Sequence, residues 1–251
     1  MPAELTNLKV RDVTVKLHRA GYGPTVLFLH GAGGVPQWLP FFDALAERYQ
    51  LLVPEHPGFG GSDDPPWIRS ISDLAMFYLD LVEEARLDRI HLIGNSLGGW
   101  LAAEILIRDR SRFQSLVQLA PAGIRIKGVP CGDNFIWGPE EAVRNLYHDQ
   151  SFADRLLALT PSEEQMDVML RNRFTVAKLG WQPRGTIPIW RNGCTALIAG
   201  AGRLGRRRQD HAAGQRRLMA GAAAGCSSCD GRGLRAPPAC RAGPARRPPC
   251  L

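Results

Sequence analysis

Hydrophobic and polar positions fall into a recurring strand, loop and helix rhythm over the first half of the chain. Residues 11–18 (Arg-Asp-Val-Thr-Val-Lys-Leu-His) alternate residue by residue, the period of a half-buried strand. Thr25–Leu29 is continuously apolar, as expected for a strand covered on both faces of a sheet. A helix is predicted near Leu39–Tyr49, and Leu51–Pro54 reads as another short buried strand. Apolar residues at helical spacing then run over about Ile71–Arg86 and would bury Leu74, Phe77, Tyr78 and Leu81. Arg89–Ile93 and Ser115–Pro121 are further strand candidates, separated by a helical run from Trp100 to Ile107. Strands alternating with helices predict an α/β fold with a mostly parallel sheet and flanking helices.

From about Gly132 to Arg184 the pattern becomes wholly helical. Amphipathic segments span Pro139–His148, Ser151–Leu159 and Ser162–Leu179. Helices interposed after sheet strands read as an inserted cap, placed to exclude water from a pocket. After Arg184 the character changes again. The last valine is Val176, the last aromatic Trp190 and the last isoleucine Ile198. Residues 201–251 are built mainly of Arg, Ala, Gly, Pro, Cys and Ser, with too little apolar side chain to offset the entropy of ordering. The expected organisation is a core over 1–130, a cap over 131–184 and an aberrant, disordered tail over 185–251.

Charge follows the same division. The chain carries a net +7, but residues 201–251 hold 11 Arg and only two acids, leaving 20 basic and 22 acidic residues before them. The basic excess therefore belongs to the tail, and nucleic acid is not an expected partner. Cysteine is lopsided too: Cys131 stands alone, while Cys194, Cys226, Cys229, Cys240 and Cys250 crowd the end. Cys226-Ser-Ser-Cys229 has no second pair to complete a metal site, so no metal is expected. The first residues lack a charged-then-apolar leader, and the apolar runs fall short of the roughly 18 residues that span a bilayer. A cytoplasmic location without membrane attachment is the expectation, with homo-oligomerisation left open.

One segment carries chemistry. Gly94-Asn95-Ser96-Leu97-Gly98-Gly99 joins a predicted strand to a predicted helix. A sharp Gly-x-Ser-x-Gly turn in that setting is a nucleophile elbow: it strains the serine backbone and presents its hydroxyl at the sheet edge. A phosphate loop would require Gly-Lys-Ser/Thr at its end, and Gly98-Gly99-Trp100 does not supply it. Upstream, His30-Gly31-Ala32-Gly33-Gly34 follows a buried strand. Amides at Ala32 and Gly33 can donate beside that of Leu97 to a developing oxyanion. His30 itself reads as a structural hydrogen-bonding group beneath this loop.

These two motifs, with His56-Pro57-Gly58-Phe59-Gly60-Gly61-Ser62 between them, resemble the α/β-hydrolase superfamily. The likeness covers about residues 10–190 and is nearest to capped carboxylesterases and carbon–carbon bond hydrolases. It implies a serine–acid–histidine triad, acyl transfer through Ser96, and no cofactor. The implied substrate is a small ester, or a ketone whose carbon–carbon bond is cleaved. A non-catalytic relative that binds a small ligand is the alternative.

The chain departs from this family after the cap, where a strand ending in Gly-x-x-Asp and a later Gly-His are expected. Neither motif occurs. His211 is the sole histidine beyond the cap and the candidate base, and Asp133 is the candidate acid. Both stand outside recognisable motifs, and the final sheet strands are expected to be missing. Gly185–Cys194 back-translates so that another frame reads His-Asp-Pro-Asn-Leu-Ala-Lys-Trp-Leu-His, which resembles the usual continuation. A frameshift near codon 185 of a GC-rich gene would explain the break. Little or no esterase activity is expected of the chain as written.

Overall fold

The computed structural model describes residues 3–124 and 135–181. Six strands form one sheet in the order β1-β2-β4-β3-β5-β6. β1 (Glu4–Val10) and β2 (Val13–Ala20) form an antiparallel hairpin, and β2 also runs antiparallel to β4 (Gln50–Pro54). β3 (Thr25–Leu29) is parallel to β4 and to β5 (Ile90–Asn95), and β5 is parallel to β6 (Phe113–Leu119). The hairpin turns at Arg11, whose φ is 54°. The sequence pattern shows only its second strand, because β1 is largely exposed and has no full apolar alternation.

Three helices flank the sheet: α1 (Pro40–Ala46), α2 (Ile71–Glu84) and α3 (Leu97–Arg108). Leu74, Phe77, Tyr78 and Leu81 of α2 are all buried, as their spacing predicts. They join Leu27, Leu29, Leu92, Trp100 and Leu101 in the larger of two cores. On the other face of the sheet, Val26, Phe28, Leu51, Val53 and Ile93 pack with Phe42 of α1. The buried strands thus meet apolar neighbours on both sides, which is why their sequences are continuously apolar.

Three further helices follow: α4 (Pro139–Leu146), α5 (Gln150–Leu157) and α6 (Glu163–Gly180). α6 begins with a reciprocal capping box between Ser162 and Gln165. α4 stops two residues before His148, so this histidine lies in the exposed α4–α5 connection instead of on a helix. Among the described residues β6 pairs only with β5, and its Val117 and Leu119 are 46% and 37% exposed. Both domain boundaries, the tail and any later strands lie outside the described residues.

Candidate active site

β5 ends at Asn95 and α3 begins at Leu97, so Ser96 alone makes the turn. Its backbone has φ 51° and ψ −113°, a conformation costly for any L-residue with a side chain. Four hydrogen bonds hold it there. Ser96 N–H donates to Leu119 O (2.9 Å), while Ser96 O accepts from Gly99, Trp100 and Ala122 N–H. Glycine is required on both flanks for space. A methyl at Gly94 would stand 2.3 Å from Gly98 O, and one at Gly98 would stand 2.1 Å from Leu29 O. The serine is half-buried, and its hydroxyl makes no hydrogen bond among the described residues.

The loop after β3 abuts this turn. A methyl at Gly31 would lie 3.2 Å from Ser96 Cβ. Gly34, at φ 77°, closes the loop by donating to Gly31 O (3.1 Å). Neither Ala32 nor Gly33 N–H donates to an acceptor among the described residues. Leu97 N–H heads α3, where helix geometry leaves it without an intrahelical partner. The helix N-terminus adds a partial positive charge at the same point.

Beneath the loop lies a buried polar stack that fixes its start. The rings of His30 and His56 stack at 3.6 Å. His56 N–H donates to His30 Nε2 (2.9 Å), so His30 carries its proton on Nδ1 and donates it to Gly31 O (2.7 Å). His56 Nε2 in turn donates to His30 O (3.0 Å), and its Nδ1 accepts from Tyr78 Oη (2.5 Å). Burial holds the His30 pKa down at about 4 and the His56 pKa well below 6.5, against weaker hydrogen-bonding effects that favour the proton. Burial also pushes the Tyr78 hydroxyl well above its usual value. Both imidazoles are therefore neutral structural donors, in the role the sequence suggests for His30. The involvement of His56 and Tyr78 is invisible in the sequence.

The other described histidines are occupied elsewhere. His18 faces Glu55 (3.6 Å), His91 Nδ1 contacts Ser115 Oγ (2.8 Å), and His148 is exposed. No described histidine hydrogen-bonds to Ser96. The structure thus places Ser96, Leu97, Ala32 and Gly33 on adjoining turns. His211, Asp133 and the Cys226–Cys229 pair lie outside the described residues.

α6 supplies contacts that sequence reading misses. Asn172 Nδ2 donates to Gly33 O (3.0 Å), and its Oδ1 accepts from Gly60 N–H (3.0 Å). One turn on, Thr175 Oγ1 donates to Gly58 O (2.7 Å), while Arg171 donates to Ser62 O (2.5 Å). Lys178 pairs with Asp64. The glycines of both loops are the available signal: they mark a close approach without naming what approaches.

The chain is similar to several known proteins. A component named dihydrolipoyllysine-residue acetyltransferase of the acetoin cleaving system, from Cupriavidus necator, is 32% identical over 116 residues. That match covers 45% of this chain and 31% of the relative. The 2-hydroxy-6-oxo-2,4-heptadienoate hydrolase of Pseudomonas putida is 29% identical over 139 residues, covering 53% of this chain and 50% of the relative. The chain thus spans half or less of the length of these two curated relatives. Among solved structures, the 2-hydroxy-6-oxo-6-phenylhexa-2,4-dienoate hydrolase of Rhodococcus sp. strain RHA1 superposes with a TM-score of 0.52 at 20% identity. It covers 74% of this chain and 76% of that one, a likeness of fold. Residues 24–164, more than half of the chain, match the family described as the alpha/beta hydrolase fold, and the chain belongs to that family.

Proposed function

We propose that this chain is a serine hydrolase scaffold for an ester, or for a carbon–carbon bond next to a carbonyl, with Ser96 as nucleophile. The observation that carries this reading is the strained Ser96 at the start of α3, held by four backbone hydrogen bonds. A fold keeps such strain where the side chain is used. In the proposed reaction Ser96 Oγ adds to the substrate carbonyl carbon as its proton passes to a base, which returns it to the departing group. The carbonyl oxygen takes the charge and accepts from Leu97 N–H together with Ala32 or Gly33 N–H. Collapse of this intermediate expels the leaving group and forms a serine ester, which water then hydrolyses. The similarity to a Pseudomonas hydrolase named for a 2-hydroxy-6-oxo-dienoate supports the carbon–carbon variant. In this reading α4, α5 and α6 form the cap.

Proton transfer is the weak half. His211 and Asp133 are the base and acid available to the proposal, and neither sits in the motif that the family resemblance implies. Oxyanion donors without a working base still leave residual catalysis, on the order of a thousandfold over water. The expected result is slow hydrolysis of p-nitrophenyl butyrate that falls in Ser96→Ala to the rate the oxyanion donors supply alone. Identical rates in the two proteins would refute Ser96 as nucleophile. Turnover near the typical enzyme value of about 10 per second would refute the impairment. A Ser96 hydroxyl without a hydrogen-bond partner among the described residues favours one alternative, a non-catalytic binder of small acyl ligands. Ser96 labelling by a fluorophosphonate probe would exclude it.

A further inference from the structure

Asn172 is a polar residue in the middle of α6, 3% exposed, with both ends of its amide engaged. Its partners are backbone groups 139 and 112 positions away. A buried carboxamide with both ends satisfied specifies geometry, because any change leaves a buried group unpaired. One partner, Gly33 O, belongs to the Gly33–Gly34 peptide. The N–H of that same peptide donates to Gly31 O. The peptide plane is thus pinned at its oxygen by the cap helix and at its nitrogen by the loop itself. Directly before it stand the amides of Ala32 and Gly33, which donate to no acceptor among the described residues. Two adjacent glycines would otherwise sample many conformations and scatter these donors. Gly34 also makes the room: a methyl there would lie 2.7 Å from Asn172 Nδ2.

We infer that Asn172 is a positioning residue that orders the 31–34 loop, fixing the Ala32 and Gly33 amides from the cap helix. Its catalytic consequence rests on the hydrolase reading, whereas its ordering of the loop does not. The carboxamide is needed in full. Aspartate would keep an acceptor for Gly60 N–H but lose the donor to Gly33 O, and leucine would lose both. Thr175 is the natural control, since it grips Gly58 O one turn away and its hydroxyl makes no hydrogen bond to the 31–34 loop among the described residues.

The test compares the full-length wild type with Asn172→Asp, Asn172→Leu and Thr175→Val. The first readout is amide hydrogen exchange. At Gly34 it should speed up about tenfold or more in both Asn172 variants, with β5 protection unchanged and no effect in Thr175→Val. The second is the Ser96-dependent rate on p-nitrophenyl butyrate. Here kcat should fall about ten- to a hundredfold with KM within about twofold, as for a misplaced oxyanion donor. Unchanged Gly34 exchange in both Asn172 variants would overturn the inference, whatever the turnover. Faster exchange with unchanged kcat would overturn its catalytic part. Absence of any Ser96-dependent rate in the wild type would instead sink the hydrolase reading, and exchange would still decide the ordering.

Discussion

Acid should unfold this protein through the two stacked histidines beneath its 31–34 loop. In the native state burial holds His30 at a pKa of about 4 instead of 6.5, and His56 is also lowered well below 6.5. Below pH 6.5 the unfolded chain therefore binds protons that the folded chain refuses. Stability is complete above the unfolded value and falls as the pH drops toward the folded one. For His30 alone, moving from about pH 7.5 to about pH 4.5 removes roughly 2–3 kcal/mol, and His56 adds in the same direction. Against a typical domain stability of about 5–15 kcal/mol this is a large share. Urea unfolding followed by tryptophan fluorescence would measure it at intervals across that range, with the histidine double variant separating out the carboxylates that titrate at its lower end. A double variant, His30→Asn with His56→Asn, should be less stable at neutral pH but show a much flatter pH dependence. A wild-type midpoint that stays level down to pH 4.5 would refute the reasoning. So would a double variant that keeps the wild-type slope.

Further outcomes follow from the turn at Ser96 and its supports. Gly98→Ala places a methyl 2.1 Å from Leu29 O and 2.6 Å from His30 O, both backbone. It should cost about 3 kcal/mol or more, read as a collapse in melting temperature or soluble yield. Ser96→Gly relieves roughly 1–3 kcal/mol of strain and costs roughly 0.5–1 kcal/mol of chain entropy. It should raise the melting temperature while removing the Ser96-dependent part of ester hydrolysis, and an unchanged or lower melting temperature would count against strain at this residue. Tyr78→Phe leaves His56 Nδ1 buried without its donor and should destabilise by about 1–3 kcal/mol in the same urea assay. The gene sequence around codon 185 should contain a single-base insertion or deletion whose reversal restores Gly-x-x-Asp and Gly-His. If no such reversal exists, the frameshift explanation fails.

Legibility in the sequence tracked how local each feature was. β3, β4 and β5 lie where their apolar runs predicted, because strands buried on both faces must be continuously apolar. The elbow was legible for a related reason: strand, strained serine, flanking glycines and helix are contiguous. β1 was not, since an exposed edge strand needs no pattern. Asn172 was the least legible. A lone asparagine in a helical pattern looks solvated, and only the folded topology brings α6 against loops more than a hundred residues away. His56 and Tyr78 share this difficulty, meeting across 22 positions through a side-chain bond that no periodicity encodes.

The elbow depends on β6 as much as on its own glycines. Of the four hydrogen bonds holding Ser96, one accepts at Leu119 at the end of β6 and one donates from Ala122 just beyond it. Removing them would leave the strained backbone held only by the first turn of α3, which any helix start provides. Yet β6 is the edge of the sheet among the described residues, and Val117 and Leu119 there are substantially exposed. An edge strand carrying exposed apolar residues is prone to fraying and to pairing with other chains. A strand added beside β6 would therefore do more than bury surface: it would stiffen the support on which the Ser96 conformation rests. The Ser96 backbone geometry and the rest of the sheet are thus mechanically coupled. The 31–34 loop has independent supports, in the histidine stack below it and in Asn172 of α6. The part of the site most sensitive to the state of β6 is the serine itself, not the amides that would receive the oxyanion.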